Sequence, residues 1–206
     1  MKKLCTVMKD FSSSVEVMKS TFISFLYPLK DADPNELLNK LRKEYPKARH
    51  ICYAYIKENG ECKFSDDGEP QGTAGKPLYN LLLNYNLTNC MICVVRIFGG
   101  VLLGSGRLLR TYILSAQKTI EMSTIFEISE ENLVTIKCEL KDINSIKGYL
   151  TKNKFEIDKI DYDEISTIFF YANESALNVI KDVFYGIILA SDLTKVKRFK
   201  EVSKNE

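Results

Sequence analysis

Apolar and polar positions along the 206-residue chain fall into blocks whose period switches between that of a strand and that of a helix. Phe22 to Leu26 reads as a strand continuing from Val15 to Met18. Asp33 stands as an N-cap, with Pro34 at the first helical position and Glu36 three residues past the cap, a capping-box arrangement. Leu37, Leu38, Leu41 and Tyr45 form that helix's apolar stripe, and Pro46 stops it. His50 to Ile56 and Glu61 to Phe64 flank Asn59-Gly60, which predicts a hairpin closed by a type I′ turn. After a polar loop, Pro77 starts a short helix carrying Leu78, Leu81 and Leu82. Met91 to Phe98 reads as a strand ending at Gly99-Gly100. A helix from about Leu108 to Met122 then turns Leu109, Tyr112, Ile113, Ala116 and Ile120 inward.

From Asn132 the pattern changes. Val134, Ile136, Cys138 and Leu140 alternate with Thr135, Lys137 and Glu139, the signature of a half-buried strand. Asp142 is placed to cap a helix with Ile143, Ile146, Tyr149 and Leu150 at helical spacing. Strands at Phe155 to Ile160 and Ile165 to Tyr171 follow, then a helix capped by Asn173 and closed by Gly186, then a last strand at Ile187 to Ala190. The order βαββαβ predicts a ferredoxin-like domain. The expected organisation is α+β in two domains, residues 1–123 and 130–206, with the boundary in the polar, acidic stretch from Ser123 to Glu131.

Composition supports a globular reading: 45% of residues are hydrophobic and 27% charged, with 10 Gly and 5 Pro. The apolar runs are strand-sized, and Lys9 and Asp10 interrupt the amino terminus before a signal-peptide core forms. A cytoplasmic, soluble protein without a membrane partner is expected. The net charge of +2 conceals an asymmetry. Residues 1 to 120 hold 17 Lys and Arg against 11 Asp and Glu, whereas the remainder hold 12 against 16. That basic first half suits an anionic partner. Six scattered cysteines are expected to stay reduced. The Cys90–Cys93 pair lies in a β-branched run and reads as buried strand, and a zinc site would need two further ligands.

Two loops concentrate the candidate chemistry. Asp66-Asp67-Gly68-Glu69-Pro70-Gln71-Gly72-Thr73-Ala74-Gly75 packs three carboxylates together, which repel unless a cation offsets them; Arg96, Arg110 and a divalent ion are the candidates. Gly75-Lys76 fails as a P-loop because Pro70 and Pro77 occupy the places of its first Gly and its Ser or Thr. In the second loop, Phe98-Gly99-Gly100 leads through Gly104-Ser105-Gly106 to a helix start carrying Arg107 and Arg110. Two cations gain nothing from a helix amino terminus, so they are expected to face an anion, either phosphate or the Asp66 to Glu69 carboxylates. His50, the sole histidine, opens a strand and reads as a hydrogen-bonded structural residue. The 11 Tyr and 11 Phe are spread at core spacing.

The runs HICYAY at His50, DDGEPQGTAG at Asp66, VVRIFGG at Val94, LGSGRLLRTY at Leu103 and STFISF at Ser20 together resemble the YigZ/Impact family over residues 14 to 122. The remainder looks like the carboxy-terminal domain of bacterial members, itself similar to a domain of elongation factor G. The resemblance implies that the first domain has the fold of the second domain of a small-subunit ribosomal protein (ribosomal protein S5 domain 2-like). Three positions depart from the family pattern: Ile97 replaces an aromatic, Arg107 a Gly and Gln71 a Ser. Arg107 is expected to fill part of any pocket over the helix start, which favours a broad anionic partner over a small molecule. Eukaryotic Impact proteins regulate a translation-factor kinase through an additional amino-terminal domain, which this chain is expected to lack.

The function so implied is a non-enzymatic, cofactor-free protein that binds RNA, the ribosome or a translation-associated protein and is linked to regulation of translation. Its binding surface comprises His50, Asp66, Asp67, Glu69, Thr73, Arg96, Phe98, Gly99, Gly100, Gly104, Gly106, Arg107 and Arg110, with no catalytic or metal-ligating residue. The alternatives are an enzyme acting on a phosphate-containing substrate, with a divalent ion on Asp66, Asp67 and Glu69, and a protein-interaction module.

Overall fold

A computed structural model describes residues 3–30 and 32–202. Residues 1, 2, 31 and 203–206 lie outside them. The chain divides into two compact units, residues 1–128 with 199–206, and residues 129–198.

In the first unit, β1 (Cys5–Val7), β2 (Phe11–Val17), β3 (Ser20–Pro28), α1 (Pro34–Glu44), β4 (His50–Ile56), β5 (Cys62–Ser65), α2 (Gly75–Asn84), β6 (Cys90–Ile97) and α3 (Ser105–Met122) follow in order. Five strands form an antiparallel sheet in the order β2-β3-β6-β4-β5. Central β6 is buried on both faces, which explains its unbroken apolar run. Ile92 and Val94 enter a core with Leu78, Leu82, Tyr112, Ala116 and Ile120 from α2 and α3, while Met91, Cys93 and Val95 pack with Leu41 of α1. Cys90 and Cys93 are accordingly buried core residues, as their β-branched surroundings suggest.

Several local expectations change. The segment read as one strand from Val15 to Leu26 is the hairpin β2–β3, because Met18 and Lys19 take positive φ and reverse the chain between two sheet neighbours. At the β4–β5 turn only Gly60 has positive φ, at +85°. Gly60 N–H donates to Lys57 O at 3.0 Å and Lys57 N–H to Glu61 O at 2.7 Å, so the hairpin closes through a type I turn with a glycine bulge, not a type I′ turn. Asp33 does cap α1, accepting Asn35 N–H at 2.9 Å.

In the second unit, β7 (Ile125–Glu139, its first residues in the first unit), α4 (Ile143–Lys152), β8 (Glu156–Asp161), β9 (Ile165–Tyr171), α5 (Glu174–Val183) and β10 (Ala190–Glu201, ending in the first unit) form a sheet in the order β10-β7-β9-β8. One core gathers Val134, Ile136, Ile146, Leu150, Ile168, Phe170, Leu177 and Ile180. Asn173 caps α5 through Ala176 N–H, but Asp142 makes no side-chain cap, since a 3-10 turn at Leu140–Asp142 already leads into α4. The last strand begins at Ala190, not Ile187. It runs on through the basic segment from Lys195 to Lys200, where charged side chains suit a strand with one solvated face. The polar stretch expected as a linker is itself strand: Ile125 to Glu127 pair with β1 in the first unit, and Leu133 to Glu139 pair with β9 in the second. The second unit ends at Arg198, and the described residues from Phe199 to Val202 group with the first unit. No helix among the described residues is long and apolar enough to cross a membrane.

Candidate functional site

Strand register decides which of the sequence-predicted residues meet. Arg96 on β6 pairs with Phe22 on β3 and with His50 on β4, so the three stand in one row across the sheet. Their side chains share the face that carries Cys52, Ala54, Ile92 and Val94, the face packed by α2 and α3.

The three acids of the first loop have separate tasks. Asp66 accepts N–H groups from Gly72 at 2.9 Å, Ala74 at 2.9 Å and Gly75 at 2.8 Å, which caps the start of α2 and folds the loop around one carboxylate. Asp67 accepts Ile51 N–H at 2.6 Å and Arg42 Nη2 at 2.7 Å. Glu69, its side chain only 3% exposed, accepts Arg96 Nη1 at 2.7 Å and the Tyr112 hydroxyl at 2.8 Å on one oxygen. Burial, together with the nearby Cys52 thiol and the Glu69 carboxylate, holds the Tyr112 phenol well above its ordinary pKa, which keeps it a donor. Thr73 Oγ1 donates to Pro70 O at 2.6 Å and tightens the loop. Repulsion among the acids is thus relieved by Arg96, Arg42 and backbone N–H groups. Among the described residues no group of three or more His, Cys, Asp or Glu is arranged to hold a metal.

Above this loop lies a cleft of about 340 Å³. Arg49, His50, Glu69, Pro70 and Arg96 line it. Phe98, Leu102, Leu103 and Leu108 supply apolar surface, and Gly104 and Ser105 bring the amino terminus of α3 to the rim. His50 Nδ1 lies 2.7 Å from Asp67 O. A carbonyl only accepts, so Nδ1 carries the hydrogen and Nε2 is left for another partner. Gly104 caps α3 without any side-chain hydrogen bond, leaving the first N–H groups of the helix open to a ligand. The Arg96 guanidinium sits 5.5 Å from the ring centroids of both Phe22 and Phe98.

Five of the thirteen expected surface residues therefore line the cleft: His50, Glu69, Arg96, Phe98 and Gly104. Asp66, Asp67 and Thr73 build the loop beneath it. Gly99 belongs to the scaffold, since a Cβ there would stand 1.9 Å from Lys19 O. Gly100 and Gly106 face open space. The two arginines depart most from expectation. Arg107 turns away to the β2–β3 hairpin, where Nη1 meets Met18 Sδ at 2.6 Å, and it leaves the cleft unfilled. Arg110 is exposed one helical turn on; neither meets the Asp66 to Glu69 carboxylates, because the inward face of α3 is given to Leu108, Tyr112 and Ala116. Sequence reasoning missed Arg49 and Leu102, which carry no pattern of their own. Tyr112 is core, as its spacing on α3 predicts, and its buried hydroxyl needs an acceptor, which is Glu69.

The Impact N-terminal domain family matches residues 18–120. An IMPACT family member of Haemophilus influenzae is 33% identical over 147 residues, covering 69% of this chain and 71% of the relative. The Escherichia coli IMPACT family member YigZ is 32% identical over 152 residues, covering 71% and 74%. A crystal structure described as that of a hypothetical protein superposes with a TM-score of 0.59 over 99% of both chains at 24% identity, a likeness of fold. With the motif loops of the first unit inside the matched region and relatives a third identical across most of its length, the chain belongs to the IMPACT family.

Proposed function

We propose that this protein is a non-enzymatic, cytoplasmic RNA-binding protein linked to translation, and that it engages RNA through the first unit. Supporting this is the convergence of Arg49, Arg96 and the open N–H groups of α3 on one cleft beside exposed Phe98, while the neighbouring carboxylates are consumed by internal hydrogen bonds. Cationic groups next to a partly exposed aromatic suit a phosphate backbone and an unstacked base. The same commitment of Asp66, Asp67 and Glu69 speaks against a divalent ion on them and so against the metal-dependent alternative. For the finer fold, we assign the first unit to the ribosomal protein S5 domain 2-like group and the second to the ferredoxin-like βαββαβ group. The order β10-β7-β9-β8, with the two helices in the crossovers, favours the second assignment.

Fluorescence anisotropy with a labelled single-stranded RNA tests the proposal. Binding is expected to weaken as salt rises, and Arg49→Ala is expected to reduce the salt slope by about 1. Undetectable binding at low salt would overturn it. A protein-interaction reading has one observation in its favour, the exposed Val179, Val183, Tyr185 and Leu189 of the second unit, with Tyr185 90% exposed.

A further inference from the structure

The cleft of the first unit has the dimensions and chemistry of a small-ligand site. Its volume of about 340 Å³ lies at the lower end of the range of ligand pockets, enough for one nucleotide-sized molecule and too small for a run of them. Two features mark unspent binding capacity. The Arg96 side chain is 8% exposed, and its Nε has no hydrogen-bond partner although Nη1 is held by Glu69. A buried guanidinium nitrogen without an acceptor is a costly arrangement, and an anion held against this guanidinium would offset the cost. The amino terminus of α3, which lines the same cleft, has no side-chain cap, so its N–H groups and dipole are available to the same anion. Arg49, exposed and at the wall, adds a second positive charge.

The other half of the cleft is apolar. Phe98 is 41% exposed and Leu102 85%, large apolar surfaces left to solvent beside cationic groups. Among the described residues Glu69 is the only acid in the lining; Arg96 offsets its charge and Tyr112 donates a hydrogen bond to it. An anion fixed between Arg96, Arg49 and α3, joined to a flat body that covers Phe98 and Leu102, meets each of these demands.

We infer that this cleft binds a single nucleoside monophosphate unit, its phosphate held by Arg96, Arg49 and the α3 amino terminus and its base against Phe98. This rests on the RNA-binding reading and narrows it to one nucleotide, supplied either free or as the 5′-phosphorylated end of an RNA. The sugar bridges the two halves, near His50 Nε2, which is left unpaired by the bond from Nδ1 to Asp67. Arg107 and Arg110 lie outside the cleft and take no part.

Calorimetric titration of the full chain with AMP, CMP, GMP and UMP is the test, with the matching nucleosides and inorganic phosphate as comparators. At least one monophosphate is expected to bind at one per chain, and its nucleoside at least tenfold more weakly. Phe98→Ala should weaken monophosphate binding by about tenfold through lost stacking. Arg49→Gln should weaken it by up to about fivefold. Both residues are exposed, so the fold survives their replacement, and Arg110→Ala should leave monophosphate binding unchanged. A 5′-phosphorylated RNA hexamer that displaces the monophosphate, when its 5′-hydroxyl counterpart does not, identifies an RNA end as the source; failure of both to displace it identifies a free nucleotide. The absence of heat with all four monophosphates at millimolar concentration, or binding untouched by Phe98→Ala and Arg49→Gln, overturns the inference. Salt-dependent RNA binding that persists without monophosphate binding would overturn this inference alone, whereas monophosphate binding without RNA binding would overturn the broader reading alone.

Discussion

Replacing Glu69 by Gln removes a charge from a site that the fold has closed around it. Glu69 and Arg96 side chains are 3% and 8% exposed and meet at 2.7 Å, and Tyr112 donates to the same oxygen at 2.8 Å. Glutamine keeps the shape and an acceptor oxygen, so the loss is mainly electrostatic: a buried guanidinium near the Phe22 and Phe98 rings left without its counter-charge. Breaking a buried pair in this way costs about 3–5 kcal/mol. Arg96 also lines the cleft, where water reaches it, which places the expectation near the lower figure, about 3 kcal/mol. Tyr112→Phe removes one hydrogen bond to a charged acceptor and should cost about 1.5–3 kcal/mol. The decisive variant is Glu69→Gln with Arg96→Met. If the cost of the single change is an uncompensated charge, removing that charge should restore at least about 1 kcal/mol, although a second buried side chain has been altered. Because the chain divides into two units, a whole-chain unfolding signal mixes transitions. Hydrogen exchange at the β6 amides of Val94, Val95 and Arg96 reads the first unit directly. A Glu69→Gln loss below about 1 kcal/mol, or a double variant as unstable as the sum of its parts, would refute the reasoning.

The remaining predictions concern the loops and the thiols. Asp66→Ala orphans three N–H groups at the start of α2 and should cost about 2 kcal/mol or more, while Asp66→Asn, which keeps an acceptor, should cost less; urea midpoints separate the two. Gly99→Ala places a Cβ 1.9 Å from Lys19 O and should lower the melting temperature sharply, whereas Gly106→Ala, in the first turn of α3 with open space around it, should be neutral or raise stability by up to about 1 kcal/mol. Burial pushes the Cys90 thiol up to about 12 and raises Cys52 and Cys93 as well. Above the unfolded-state thiol value of about 8.5 the unfolded chain releases these protons and the folded chain does not, so stability falls as pH rises, by about 1.4 kcal/mol per group per pH unit until the folded value is reached. Unfolding curves at pH 8, 9 and 10 check the sign. In the native chain a thiol reagent should label exposed Cys62 first and reach Cys52, Cys90 and Cys93 only on unfolding.

By itself the sequence determined most of the elements, because the features that make them are local. Asp33-Pro34, the apolar stripe of α1, the alternation from Val134 to Glu139 and the Asn173 cap write their structure within a turn or two of themselves. The family motifs likewise marked His50, Glu69, Arg96, Phe98 and Gly104, all of which reach one cleft. What the sequence left open depended on partners distant along the chain. The reversal at Met18-Lys19 carries no glycine, so the β2–β3 hairpin is set by its register against the sheet. The charged segment from Ala190 to Glu201 becomes a strand because β7 offers it an edge. Which arginine meets which acid was decided in the same way. Arg107 and Arg110 stand nearest a helix start, yet β-pairing aligns Arg96 with His50 and Phe22, and the packing of α3 brings Tyr112 down onto Glu69. Charge and spacing name the residues able to bind an anion, and only the strand register and helix packing select the few that share a site.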